Sequence, residues 1–200
     1  LVARYVNKPD TLKLIGYPVP WRNMALIEAD RIQKSKGRST FNAAYIISTG
    51  GQTIPKAQYL SNFFAGLWQY NRTLRPKGFD LLLDYHNELV AQPGIGHFMS
   101  AQIIADLKYV EPLKSAKDWR TFAAPGPGSR RGLARVVHDT AKYNWNIEEW
   151  RGALEYLRKR INSQIKFMQG MEQLCGQNMQ NSLCEWDKYE RCRLGEGRPK

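Results

Sequence analysis

Apolar residues recur every three or four positions along most of the chain, a period that predicts helices nearly throughout. In "WRNMALIEADRIQKS" (21–35), Met24, Leu26, Ile27 and Ile32 fall near one face, and Gly37 is a stop. "FNAAYIIS" (41–48) is too short for its pattern to separate helix from strand. Gly50-Gly51 breaks it, and Pro55 suits the first turn of the next helix. "KAQYLSNFFAGLWQYNRTL" (56–74) places Tyr59, Phe63 and Trp68 at core-like spacing. "FDLLLDYHNELVAQ" (79–92) predicts a further amphipathic helix, stopped by Pro93-Gly94. "SAKDWRTFAA" (115–124) opens on Ser115 with Asp118 three residues on, an acidic variant of the capping box. "NIEEWRGALEYLRKRINSQIKFM" (146–168) predicts a long helix with Asn146 as N-cap, and "NMQNSLCEWDKYERCR" (178–193) the last one. No region is rich in strand signals. The expected class is all-α: one helical domain over residues 1–200, built as two lobes, about 1–90 and 91–200, with the active site between them.

Composition adds a partner. The chain is 42% hydrophobic, as a folded protein should be, yet carries a net charge of +12. Such an excess favours a polyanion such as nucleic acid. No apolar run is long enough to span a bilayer, so no membrane role is expected. Cys175, Cys184 and Cys192 lack metal-site spacing and a nearby His, so they read as reduced thiols without a structural metal.

Two glycine-bearing turns are candidates for anion binding. In "QPGIGHFMSAQIIADLKY" (92–109), Gly94 and Gly96 permit a turn whose amides converge on an anion, and the following helix adds its positive end. Ala101, five residues after Gly96, suits a close helix–helix approach. This context resembles the helix-hairpin-helix element of the DNA glycosylase superfamily, whose hairpin amides hold a DNA phosphate. On that resemblance Gly94, Ile95, Gly96 and His97 are DNA contacts. Two positions depart from the glycosylase pattern. Phe98 stands where lyase-active members have a nucleophilic Lys. Arg130, five residues before Arg135 of "ARVV", stands where the catalytic Asp is expected. A cation there opposes the oxocarbenium-like charge of glycosidic cleavage.

In "APGPGSRRGLARVV" (124–137), Gly126 and Gly128 lend backbone freedom, Ser129 offers a hydroxyl or an N-cap, and Arg130, Arg131 and Arg135 offer guanidinium forks. Together with "GIGHFMSAQIIADLKY" and "NSLCEWDKYERCRLGEGRPK", this loop resembles the phage thymine-hypermodification family of α-glutamyl/putrescinyl thymine pyrophosphorylases, or amino acid:DNA transferases. The resemblance is best from about residue 92 onward. It implies displacement of pyrophosphate from 5-(pyrophosphoryloxymethyl)uracil in double-stranded DNA by a small amine or amino acid, in the cytoplasm of a phage-infected bacterium. Ser129, Arg130, Arg131 and Arg135 would then hold the pyrophosphate, with Mg²⁺ riding on it without a dedicated protein site. Arg135 reads equally as structural, pairing with a carboxylate, and the loop as a basic surface that meets DNA without specificity.

Further residues complete the expected site. Asp106, among apolar neighbours, reads either as a buried carboxylate that orients the amine or holds an arginine, or as an exposed acid or salt-bridge partner. Glu185 and Lys188 lie three apart and Asp187 and Arg191 four apart, a spacing for solvated helix pairs. The resemblance instead enlists Glu185 and Lys188, with Arg130 and Asp106, in catalysis, and Asn181 and Asp187 in contacts to base or amine. His97 is also a candidate base. Arg158 and Lys159, in the densest charge run, are candidate DNA contacts beside the bland reading of a solvated face. Two other classes stay open: a helix-hairpin-helix glycosylase and a non-catalytic DNA-binding module.

Overall fold

In a computed structural model, residues 1–16, 24–42, 49, 51–69, 76, 80–165 and 172–197 are described. They are all-helical, with no strand among them. The short segment 41–48, which fitted helix or strand equally, lies almost wholly outside the described residues, as do residues 21–23 and 70–74 of two expected helices. The chain divides into two compact bodies: residues 1–75 with 92–94, and residues 76–91 with 95–200.

The first body holds α1 (Val2–Val6), α2 (Pro9–Ile15), α3 (Ala25–Ser35) and α4 (Lys56–Gln69). The buried stripe of α3 is Ala25, Leu26, Ala29 and Gln33, whereas Met24 precedes the helix and is exposed. Gln33 reaches the core because its Nε2 donates to Thr11 Oγ1 at 3.2 Å, and that hydroxyl donates to the Thr40 carbonyl at 2.8 Å. On α4 the buried positions are Ala57, Leu60, Ser61 and Phe64. Trp68, expected in the core, is 44% exposed. Tyr5 meets Phe63 and Phe64 with ring centroids 5.2 and 5.5 Å apart.

The second body holds α5 (Leu82–Val90), α6 (His97–Leu107), a 3₁₀ turn (Leu113–Ser115), α7 (Pro127–His138), α8 (Ile147–Gln164) and α9 (Gly176–Arg193). Its core joins α7, α8 and α9 through Leu133, Ala134, Trp150, Leu154, Met179 and Leu183. Asn146 caps α8 as expected, its Oδ1 accepting the Glu149 N–H at 2.8 Å. The helix expected from Ser115 does not form, and residues 117–121 are turns. Asp118 caps another helix instead: its two oxygens accept the Leu82 and Leu83 N–H groups at 2.6 and 3.0 Å, at the start of α5. A carboxylate at that positive end is as favourable as one in its own helix, and only tertiary folding selects between them.

The "GPGSRR" stretch is helix, not loop. Gly126 is the N-cap and Pro127, with φ pre-set, opens α7. Gly128 and Gly132, one turn apart, face α9. A Cβ on Gly132 would lie 2.1 Å from the Leu183 carbonyl oxygen, and one on Gly128 would lie 3.4 Å from Cys184 Sγ. These glycines serve close backbone approach rather than turn geometry.

Candidate functional site

The arginines of α7 are spent on internal partners. Arg131 and Arg135, four apart on one face, converge on Asp187 of α9. Arg131 Nε and Nη2 donate to Asp187 Oδ2 at 2.9 and 2.7 Å, and Arg135 Nε donates to Oδ1 at 3.3 Å. Asp187 is 1% exposed. Arg135 pairs also with Glu196. Arg130, one position round the helix, donates to the Trp145 carbonyl, while Trp145 Nε1 donates back to the Arg130 carbonyl at 3.0 Å.

These contacts correct several expectations. Asp187 is not open to a base or amine, and its partners are Arg131 and Arg135 rather than Arg191. Buried carboxylates need such pairing because unpaired charge is costly away from water. Ser129 is fully buried at the third position of α7. Its Oγ accepts the Gly126 N–H at 3.0 Å and donates to the Gly126 carbonyl at 3.1 Å, closing the helix start on itself. Of the two arginines paired with Asp187, Arg131 keeps the more exposed side chain, 37% against 9% for Arg135.

The other candidates scatter. Asp106 is exposed on α6, not buried, because it is turned away from the buried face centred on Ser100, Ala101 and Ile104. Glu185 and Lys188 form an exposed pair at 2.6 Å, and Asn181 is exposed on the same helix. Arg158 is 8% exposed; its guanidinium donates to Glu155 at 2.6 and 2.7 Å and to the Leu174 carbonyl at 3.3 Å. It joins α8 to the start of α9's approach and is not a surface DNA contact. Lys159 and Arg160 beside it are exposed.

At the turn, Gly94 adopts φ +85, a conformation that disfavours other residues. A Cβ there would lie 2.6 Å from the Phe63 ring, and the Tyr5 hydroxyl donates to the Gly94 carbonyl at 2.8 Å. Ile95 is buried. Gly96 is the N-cap of α6, with no atom within 4 Å of where its Cβ would stand. His97 opens α6 at the surface. Small residues later in α6 are buried as expected: Ala101, whose carbonyl accepts from Gln177 Nε2 at 3.3 Å, and Ser100.

Two buried polar residues escaped the sequence reading. Lys108 is 1% exposed, its Nζ 3.2 Å from Cys175 Sγ and 3.8 Å from the Trp119 ring centroid. His86 lies between His97 and Ser100: Nε2 is 3.2 Å from His97 Nδ1, and Nδ1 is 2.9 Å from Ser100 Oγ. Burial, then the neighbouring His97 and Arg151, push His86 down to about 4, so it is neutral at pH 7. The helical spacing of His86 on the buried face of α5, with Tyr85 and Leu89, was the available signal.

Among the described residues no helix is long and apolar enough to cross a membrane. No curated protein and no solved structure shows significant similarity to the chain. A family model described as "5-hmdU DNA kinase, helical domain" matches residues 1–198. That family, like the transferases the sequence blocks resemble, lies in thymine hypermodification, but its name is that of a kinase. The all-helical fold and the match along nearly the whole chain agree, and the protein belongs to the helical-domain family of 5-hmdU DNA kinases.

Proposed function

We propose that this chain binds DNA carrying 5-hydroxymethyluracil and serves chemistry at the hydroxymethyl group of that base. The observation that carries the reading is the family match over residues 1–198. The net charge of +12 supports a polyanionic partner. No Gly-Lys dipeptide occurs in the 200 residues, so the sequence lacks the Gly-x4-Gly-Lys-Ser/Thr loop that cradles a nucleotide triphosphate. The reading therefore assigns DNA and the modified base to this chain. The C5 substituent of the base points into the major groove, and the hairpin resemblance puts a DNA contact at the turn that opens α6.

The test is a binding titration with duplexes that contain either 5-hydroxymethyluracil or thymine, repeated over a salt series. Tighter binding of the modified duplex, with affinity falling steeply with salt, supports the reading. Equal affinity for both, or no binding, refutes it.

A second reading keeps the amine transfer implied by the sequence blocks, with pyrophosphate as leaving group. The half-exposed Arg131 favours it, since that guanidinium can meet an anion on its open side while held by Asp187. Pyrophosphate release from pyrophosphorylated DNA that depends on an added amine would support this reading; release independent of amine would remove it.

A further inference from the structure

Three side chains from two helices of the second body form a hydrogen-bonded line from core to surface: Ser100 on α6, His86 on α5, and His97 at the first position of α6. Ser100 is fully buried, His86 is 4% exposed, and His97 is exposed. Such a line is directional, because each neutral imidazole has one donor and one acceptor nitrogen.

The contacts choose the direction. Ser100 Oγ lies 3.2 Å from the His86 carbonyl, to which it can only donate. Its single proton spent there, Oγ must accept from His86 Nδ1–H at 2.9 Å. His86 Nε2 then carries a lone pair and accepts from His97 Nδ1–H at 3.2 Å. The opposite direction would leave the Ser100–carbonyl contact without a proton. One arrangement accounts for all three contacts, and it leaves the lone pair of His97 on Nε2. Protonating that nitrogen breaks no bond in the line, since Nδ1–H still donates to a neutral His86. Burial and the charge of Arg151 keep His86 from taking the second proton itself.

We infer that His97 Nε2 is the proton acceptor for the hydroxymethyl group of the bound base, and that His86 and Ser100 are positioning residues that fix its tautomer. This rests on the proposed binding of 5-hydroxymethyluracil DNA by this domain. In the step, the hydroxymethyl O–H gives its proton to His97 Nε2 as its oxygen bonds to the terminal phosphorus of a nucleoside triphosphate. The bond from that phosphorus to the bridging oxygen breaks, and a nucleoside diphosphate leaves with the electron pair.

Imidazole ¹⁵N–¹H spectra of the free domain test the line without reference to function. In its neutral form, His97 should show a protonated Nδ1 and an unprotonated Nε2. Ser100→Ala should return His97 to a mixture of tautomers, and His138, stacked on Tyr143 outside the line, should not change. A protonated Nε2 in wild-type His97 overturns the inference. With a nucleoside triphosphate and saturating 5-hydroxymethyluracil duplex, His97→Gln should lower kcat by about 10²-fold or more. Ser100→Ala should lower kcat with KM unchanged. Unaltered kcat in His97→Gln overturns the acceptor role. Failure of the wild-type protein to bind the modified duplex would instead defeat the functional reading, and the acceptor role with it, while the tautomer spectra still decide whether the line exists.

Discussion

Replacing Asp187 by Asn separates a structural arginine cluster from a ligand-binding one. The change keeps size and removes the charge that three guanidinium N–H groups address, at 2.7, 2.9 and 3.3 Å. Asp187 and Arg135 are buried to 1% and 9% exposure, so water cannot replace the lost carboxylate around Arg135, whereas Arg131 at 37% can turn outward. Removing one partner of a buried pair costs about 3–5 kcal/mol. Arg135 keeps Glu196 and Arg131 regains water, which places Asp187→Asn near the lower end, about 3 kcal/mol. For a chain of this length that corresponds to a fall in Tm of about 6–12 °C. Thermal unfolding followed by circular dichroism measures it, and a double-mutant cycle with Arg131→Ala should give a coupling of about 1–3 kcal/mol. A fall of less than about 2 °C, with no coupling, would refute the structural role and return these arginines to a ligand.

Gly132→Ala should destabilise by about 3 kcal/mol in denaturant titration, because its Cβ meets a backbone oxygen, which cannot swing aside as a side chain can. Gly96→Ala, with open space around it, should cost less than about 1 kcal/mol in the same assay. His86 is depressed from its ordinary value of 6.5 to about 4, so the unfolded chain binds the extra proton first. Stability should be complete above about pH 6.5 and fall by about 2–3 kcal/mol as pH drops toward 4, and His86→Gln should remove that slope. Lys159→Ala should weaken DNA binding evenly across sequences and reduce the salt slope by about 1, whereas Arg158→Ala should lower Tm, since its guanidinium is held by Glu155 and Leu174.

By itself the sequence determined the helical class, most helix cores and the Asn146 cap, because these follow from the 3.6-residue period and from hydrogen bonds within one turn of chain. That the turn draws on glycine's backbone freedom was legible for the same reason, although Gly94 uses it at φ +85 and Gly96, at φ −82, does not. The excess of positive charge likewise needs no fold to be counted. Which polar residues work on the protein itself was decided only by tertiary contact. Asp118 caps a helix 36 residues away, Asp187 holds arginines more than fifty residues away, and Ser129 and Arg158 are turned inward. A motif scan sees Ser-Arg-Arg as a phosphate grip because it cannot see that a buried carboxylate on α9 has already claimed two of the nearby guanidinium groups. The same blindness left His86 apart from His97. They are eleven residues apart in the chain and 3.2 Å apart at their nitrogens, and it is packing of α5 on α6 that makes one histidine set the proton of the other.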